Sequence, residues 1–153
     1  MLEIRFAIKE DYEKIINLIK QIHNQHVEYN PDVFKDIDIP MTKEEYIKLL
    51  DENSIIVGLV NDKIIGYTYF LVRQNRCDIL VDRKFIFIDS IIISNENQGK
   101  GYGKEFIEYL KKYAKENNCD SLELNVNAKN KEAINFYSNN GFFERERRME
   151  IKI

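Results

Sequence analysis

The feature that most constrains this chain is an almost unbroken apolar run at residues 85–93, followed closely by a glycine-rich loop and an amphipathic helix. Only Asp89 and Ser90 interrupt the run. A strand this apolar needs cover on both faces, so it is predicted to lie centrally in a sheet, with helices packed on each side. A carboxylate inside such a strand needs a structural or functional reason.

The other strands are predicted where apolar and polar residues alternate with a period of two. They fall at residues 2–7, 54–60, 63–72, 121–126 and 142–153, the last range supplying one or two strands. Asn61 and Asp62 form a turn-forming pair between the second and third of these ranges. A hairpin is expected there.

Helices are predicted where apolar residues recur at helical spacing. They begin at Tyr12 and at about Thr42, whose hydroxyl is expected to cap Glu45, and they also cover residues 104–117 and 130–139. Residues 23–41 contain both prolines and are expected to form a loop or a broken helix. The strand, helix, strand order over residues 85–126 implies a right-handed parallel crossover.

Charge and cysteine usage exclude several classes of protein. The chain has 23 Lys plus Arg against 26 Asp plus Glu, so no basic field is available for nucleic acid. No segment approaches the ~20 consecutive apolar residues of a membrane span. Cys77 and Cys119 are isolated thiols without metal-ligand spacing, which fits a reducing compartment. A soluble, cytoplasmic protein is therefore expected, with neither nucleic acid nor membrane as a partner.

The loop after the central strand is predicted to hold an anion. It reads Gln98, Gly99, Lys100, Gly101, Tyr102, Gly103, Lys104. Glycine lets backbone approach a ligand closely, and free N–H groups at a helix N-terminus favour a phosphate. Because Glu105 follows Lys104, the loop is not a P-loop, and Lys104 stands where a dinucleotide fingerprint needs its third glycine.

The order Gln98-x-x-Gly101-x-Gly103 resembles the Q/R-x-x-G-x-G/A signature of the GNAT superfamily of acyl-CoA-dependent N-acyltransferases. Gln98 stands in place of the more frequent Arg, which the signature allows. A second block, with Asn130, Ala133, Phe136 and Tyr137 followed by Gly141 and Phe142, looks like the superfamily's next conserved segment. Two ordered matches are more specific than one glycine cluster.

The resemblance implies one N-acetyltransferase domain over residues 1–153. Its fold class is α+β in αβα layers, with a mixed, mostly antiparallel sheet of about seven strands and about four helices. The acyl donor is acetyl-CoA, and no metal is implied. The reaction is direct attack of a primary amine on the thioester, without a covalent intermediate.

The resemblance also assigns roles to residues. Backbone amides from Gln98 through Lys104 would hold the pyrophosphate, and Lys100 and Lys104 enter only through their amides. The backbone of Ile91, Ile92 and Ile93 would pair with the pantetheine arm. Tyr137 would be the general acid that protonates the leaving thiolate. Asn130 would cap the last helix and contact the coenzyme.

Asp89 is the only ionisable group in the central apolar run, and two roles stay open for it. It is either the base that accepts the amine proton or the anchor that binds the substrate ammonium. His23 and His26 are given no catalytic role.

The acceptor is not determined by the sequence, because it depends on loops rather than on the coenzyme motif. A small-molecule or peptide amine is expected, and a homodimer is a possible assembly. One alternative is a catalytically inactive acyl-CoA-binding sensor or regulatory module. Another is an unrelated nucleotide-binding protein.

Overall fold

The structure is a computed structural model that describes residues 1–52 and 54–153. The described residues form one sheet in the order β1-β2-β3-β4-β5, antiparallel throughout except that β4 and β5 are parallel. Its strands are β1 Glu3–Phe6, β2 Ile55–Val60, β3 Lys63–Asn75, β4 Arg83–Ile93 and β5 Ser121–Leu124. The expected mixed, mostly antiparallel α+β fold is confirmed, but the sheet has five strands rather than about seven.

The described residues also form four α-helices. They are α1 Tyr12–Tyr29, α2 Lys43–Asp51, α3 Tyr102–Glu116 and α4 Lys131–Asn139. The loop expected from residue 23 begins later, because the first helix-breaking residue is Pro31 and α1 continues to Tyr29. None of the helices in the part of the chain that the structure describes is both long and apolar enough to span a membrane.

Local signals at two element ends act as predicted. The side chain of Thr42 accepts a hydrogen bond from the Glu45 N–H at 3.2 Å, and the Glu45 carboxylate accepts from the Thr42 N–H at 2.7 Å. This reciprocal capping box starts α2. Asn61 and Asp62 have φ angles of 49° and 62°, which is the backbone of a type I′ hairpin turn between β2 and β3.

The sheet separates two hydrophobic cores. On one face, Phe106 and Leu110 of α3 pack against Ile86 and Ile88 of β4. On the other face, α1 and α2 supply the packing side chains, which include Ile15, Ile19 and Tyr46. The apolar run of β4 is therefore covered on both faces, as its composition requires.

Asp89 is an extra residue in β4. Tyr69 pairs with Ser90, and the next residue of β3, Phe70, pairs with Ile88, so Asp89 has no partner and forms a β-bulge. The bulge changes which residues face which core. Before the bulge, the even-numbered Ile86 and Ile88 face α3. After the bulge, the odd-numbered Ile91 and Ile93 face α3. The carboxylate thus sits where the strand is locally irregular rather than inside a continuous ladder.

The prediction of final strands over residues 142–153 is wrong for this chain. Those residues carry no strand, Phe142 is partly buried, and every residue after it is exposed. A strand needs a neighbour to receive its backbone hydrogen bonds, and no described segment of the chain lies in register beside this tail. Glu123 of β5 is partly covered and forms an ion pair with Arg83 of β4.

Candidate active site

The sheet opens between β4 and β5. Their pairing runs from Phe85 opposite Ser121 to Ile88 opposite Leu124 and goes no further. From Asp89 to the end of β4, the strand has β3 on one edge and, within the described residues, no strand on the other. The chain therefore leaves a free strand edge beside the bulge.

The main chain of Ile91 faces this free edge. The Ser94 N–H donates to the Ile65 carbonyl of β3 at 2.8 Å, which fixes the direction of the backbone at the end of β4. Since backbone groups alternate between the two edges of a strand, Ile92 is directed to β3, and Ile91 and Ile93 are directed to the gap. The Ile93 carbonyl is already used, because it accepts from the side-chain amides of Gln21 at 2.9 Å and Gln98 at 3.0 Å.

The glycine loop ends in unpaired donors. Gly99 and Gly101 have φ angles of 74° and 89°, in the left-handed region, and Gly101 is the N-cap of α3. The first helical hydrogen bonds are those that Lys104 and Glu105 donate to the Gly101 carbonyl. In the described part of the chain, the N–H groups from Gly99 through Gly103 have no acceptor. Such a row at a helix N-terminus forms an anion site.

Polar side chains of the loop hold its shape. Gln98 ties the loop to the end of β4 through the Ile93 carbonyl, and Lys100 Nζ donates to Asn97 Oδ1 at 2.9 Å. Tyr102 is partly buried and packs against the α3 core, while Lys104 is exposed. These side chains orient the backbone of the loop, whose N–H groups stay unpaired among the described residues.

The second motif block builds α4 and its end. The Asn130 side chain accepts from the Ala133 N–H at 3.0 Å and caps the start of the helix. At the other end, Gly141 has φ 91° and donates to the Ser138 carbonyl at 3.1 Å, and the Phe142 N–H donates to the Tyr137 carbonyl at 3.1 Å. This is a Schellman motif, which explains the spacing of Tyr137, Gly141 and Phe142 in the sequence.

Tyr137 is held by aromatic contacts and not by its hydroxyl. Its ring centroid lies 5.2 Å from that of Phe136 and 5.5 Å from that of Phe142, both edge-on. Burial raises the pKa of Tyr137 to about 12. Burial is the only cause of this shift, and no hydrogen bond from a described residue to the hydroxyl contributes to it. The phenol is therefore protonated at neutral pH and free to donate to a ligand.

Asp89 lies among groups from α1 and β3. Its side chain is solvent-accessible, but partial burial raises the pKa of its carboxyl, and the charges of His26 and Arg73 act in the opposite direction. The Asp89 charge in turn contributes to the raised pKa of Tyr67, which burial brings to about 12. A carboxylate with a raised pKa, beside a strand gap, is suited to exchange a proton or to bind an ammonium group.

His26 is a neighbour of Asp89 that sequence reasoning missed. Burial lowers the pKa of its imidazole, His23 lowers it further, and Asp89 raises it. The ring packs edge-on to Phe34 with centroids 4.9 Å apart. Gln21 was also missed, because its contact with the end of β4 joins segments distant in sequence and leaves no local pattern.

The predicted site residues thus fall into three groups. Ile91, Ile93 and the glycine loop lie close together in sequence at the end of β4, and α4 starts after its N-cap Asn130 and carries Tyr137 in its last turn. Asp89 forms the third group, because the charges that act on its carboxyl pKa are those of His26 and Arg73, whereas burial alone raises the pKa of Tyr137. A substrate that joins these groups has to occupy the gap between them.

Two comparisons match the sequence of this chain to known proteins. The profile of the "Acetyltransferase (GNAT) family" matches residues 19–142. An uncharacterized N-acetyltransferase of Methanocaldococcus jannaschii is 32% identical over 96 residues, which are 63% of this chain and 42% of that protein. The chain thus spans less than half the length of this relative.

Solved structures share the fold. A tetramutant of the BH1408 protein of Bacillus halodurans has 24% identity and a TM-score of 0.94, with 99% of each chain covered. The aminoglycoside N-acetyltransferase AAC(6')-Iy in complex with CoA has 15% identity and a TM-score of 0.76, covering 100% of this chain and 95% of that one.

Proposed function

Because the chain belongs to the acetyltransferase (GNAT) family, we propose that it transfers an acetyl group from acetyl-CoA to a primary amine by direct attack. One observation carries the proposal: the unpaired N–H row of the glycine loop directly follows a strand whose outer edge is free. A ligand that fits both needs an anionic end and an extended, amide-bearing arm. Coenzyme A has both.

The donor would lie along the end of β4 and over the loop. The N–H groups from Gly99 through Gly103 bind the pyrophosphate, and the helix dipole of α3 favours its charge. The pantetheine amides hydrogen-bond to the main chain of Ile91, as an added strand would. This arm leads from the loop toward Asp89, so the thioester lies in the gap between β4 and β5.

The chemistry then requires two proton transfers. The amine nitrogen forms a bond to the acetyl carbon, the carbon–sulfur bond breaks, and the electron pair leaves with sulfur. The amine proton goes to a base, and Tyr137 donates its phenolic proton to the departing thiolate, which yields free CoA. A pKa of about 12 keeps that phenol protonated until the thiolate forms.

Asp89 either accepts the amine proton or binds the ammonium form of the substrate. Its raised pKa supports the first role, and its solvent-accessible carboxylate supports the second, because a carboxylate attracts a substrate ammonium group. We take the acceptor to be a small-molecule amine in the cytoplasm. The fold shared with an aminoglycoside N-acetyltransferase supports that class over a peptide amine.

The experiment is to incubate the purified chain with acetyl-CoA and a panel of amines, comprising polyamines, aminoglycosides, amino acids and peptides, and to follow free CoA thiol. Thiol release with at least one small amine is expected. CoA binding without turnover on any amine would instead identify a sensor. Thermal stabilisation by ATP stronger than that by CoA would contradict the coenzyme assignment.

A further inference from the structure

The tail, residues 143–153, pairs with no strand in the structure, and its last five residues, 149–153, have the sequence pattern of a half-buried strand. Met149, Ile151 and Ile153 alternate with Glu150 and Lys152. The apolar members are nevertheless 90%, 84% and 117% exposed. An alternating apolar face of this kind is stable only when it is covered.

The tail is held to its own chain only near its two ends. Phe142 is fixed against Tyr137, and Lys152 Nζ lies 3.0 Å from Asp32 Oδ2, with both side chains largely exposed. An exposed ion pair contributes little to stability. Between these points, the backbone of the tail makes no hydrogen bond with the described residues.

The edge of the sheet formed by β5 has no neighbouring strand among the described residues. β5 pairs with β4 on one edge, and no described strand pairs with its other edge. All four residues of β5 are only partly buried, and Val126 just beyond it is 39% exposed. α4 has no fully buried residue among its described positions. This part of the core is therefore open to solvent.

We propose that residues 143–153 of one copy add as a strand to the free edge of β5 in a second copy, while the second copy does the same in return. Each chain carries one unpaired tail and one unpaired β5 edge. In a two-fold exchange, each tail pairs with the β5 edge of the other copy, so the assembly stops at two chains. The occupant is a second copy rather than the same chain, because the tail begins at Phe142 beside the same core as β5 and yet its backbone forms no hydrogen bond with the described residues of its own β5.

The side chains match across the exchange. Leu122 and Leu124 of β5 already pack at the margin of the α3 core. An added strand would place Met149, Ile151 and Ile153 beside them and extend that core, while Glu150 and Lys152 stay in water. Exchange also covers α4, the helix that carries Tyr137.

The first test is the oligomeric state of the full chain, measured by sedimentation over a dilution series. A dimer is expected, and Ile151→Asp should weaken it by about a hundredfold or more, because it places a charge in the new core. The matched control Glu150→Gln, on the opposite face of the same strand, should leave the dimer unchanged. A monomeric full chain, or a dimer equally insensitive to both substitutions, would overturn the proposal.

The second test separates exchange from other dimers. In a Cys77→Ser, Cys119→Ala background, a tagged chain carrying Val126→Cys is co-expressed with an untagged chain carrying Met149→Cys, and a short bismaleimide is added. Cross-linking of tagged to untagged chains is expected. A chain carrying both cysteines that cross-links only to itself would show that the tail pairs with its own β5.

Discussion

A methyl group on the Cα of Gly103 would lie 2.9 Å from Cζ of Phe136. This contact joins the first turn of α3 to α4. The glycine loop and the second motif block, which begins at Asn130, are therefore adjacent in the fold. Any larger residue at 103 displaces the ring of Phe136, which lies next to Tyr137 on α4. The loop glycines therefore serve different purposes: Gly99 and Gly101 adopt positive φ, whereas Gly103 leaves room for a neighbour.

Gly103→Ala should lower the free energy of unfolding by about 1–2 kcal/mol, since the ring of Phe136 has to move. Adding Phe136→Leu in the same chain should restore part of that loss, because the smaller side chain relieves the clash. Chemical denaturation of the two single variants and the double variant measures the coupling. Strictly additive effects would mean that the contact does not limit the packing.

Gly101→Ala should weaken CoA binding and lower the melting temperature. A Cβ at this position meets no atom within 4 Å, so the cost comes only from the left-handed backbone and amounts to roughly 1–2 kcal/mol. Gly101→Asn is the matched control, because Asn tolerates this conformation better than Ala. Calorimetric titration with CoA compares them, and equal losses for Ala and Asn would refute a backbone cause.

Tyr137→Phe should lower kcat by roughly tenfold or more and leave acetyl-CoA affinity nearly unchanged, because only the proton donor is removed. The wild-type rate should show no basic limb from Tyr137 between about pH 7 and pH 10, since the phenol loses its proton only as the pH rises toward about 12. Phe136→Leu controls for disturbed packing. An unaltered kcat in Tyr137→Phe would remove the phenol from the mechanism.

Asp89→Asn should remove the acid limb of kcat/KM if Asp89 is the base. Only the carboxylate accepts a proton, so wild-type activity should fall as the pH drops through the raised pKa of this group. Asp82→Asn, an exposed site at the start of β4, should keep the limb. A variant that keeps the pH profile but shows a higher KM for the amine would indicate the anchor role.

Asp89→Asn should also change stability, and it should raise stability although it lowers activity. A carboxyl whose pKa is raised on folding binds its proton more tightly in the folded state, so its charge is unfavourable at neutral pH. Asp89→Asn should therefore raise the melting temperature slightly at pH 7, with the gain vanishing as the pH falls through the raised pKa. Scanning calorimetry across that range measures it.

Most elements of the fold could be predicted because their signals are local. The capping box at Thr42, the turn at Asn61 and Asp62, and the helical spacing after the glycine loop each depend on residues close in sequence. The end of α1 was misplaced, because the residues after Ile22 are polar although the helix continues to Tyr29.

The bulge at Asp89 could not be placed from the sequence. Apolar residues cover both faces of β4, so the change of alternation between Ile88 and Ile91 is hidden, and the only trace is the polar pair Asp89 and Ser90. The tail was misjudged for another reason. The alternation of Met149, Ile151 and Ile153 is a local pattern, but a strand also needs a neighbour for its backbone, which the pattern does not contain.

The bulge makes the number of residues in β4 more important for the fold than the identity of the residue at position 89. Replacing Asp89 by another residue changes one side chain and leaves the rest of the strand facing as before. Deleting it would exchange inside and outside for every residue that follows, so that Ile91 and Ile93 would turn away from α3. We therefore expect the fold of this protein to tolerate a different amino acid at position 89 far better than the loss of one, independently of what the substitution does to activity.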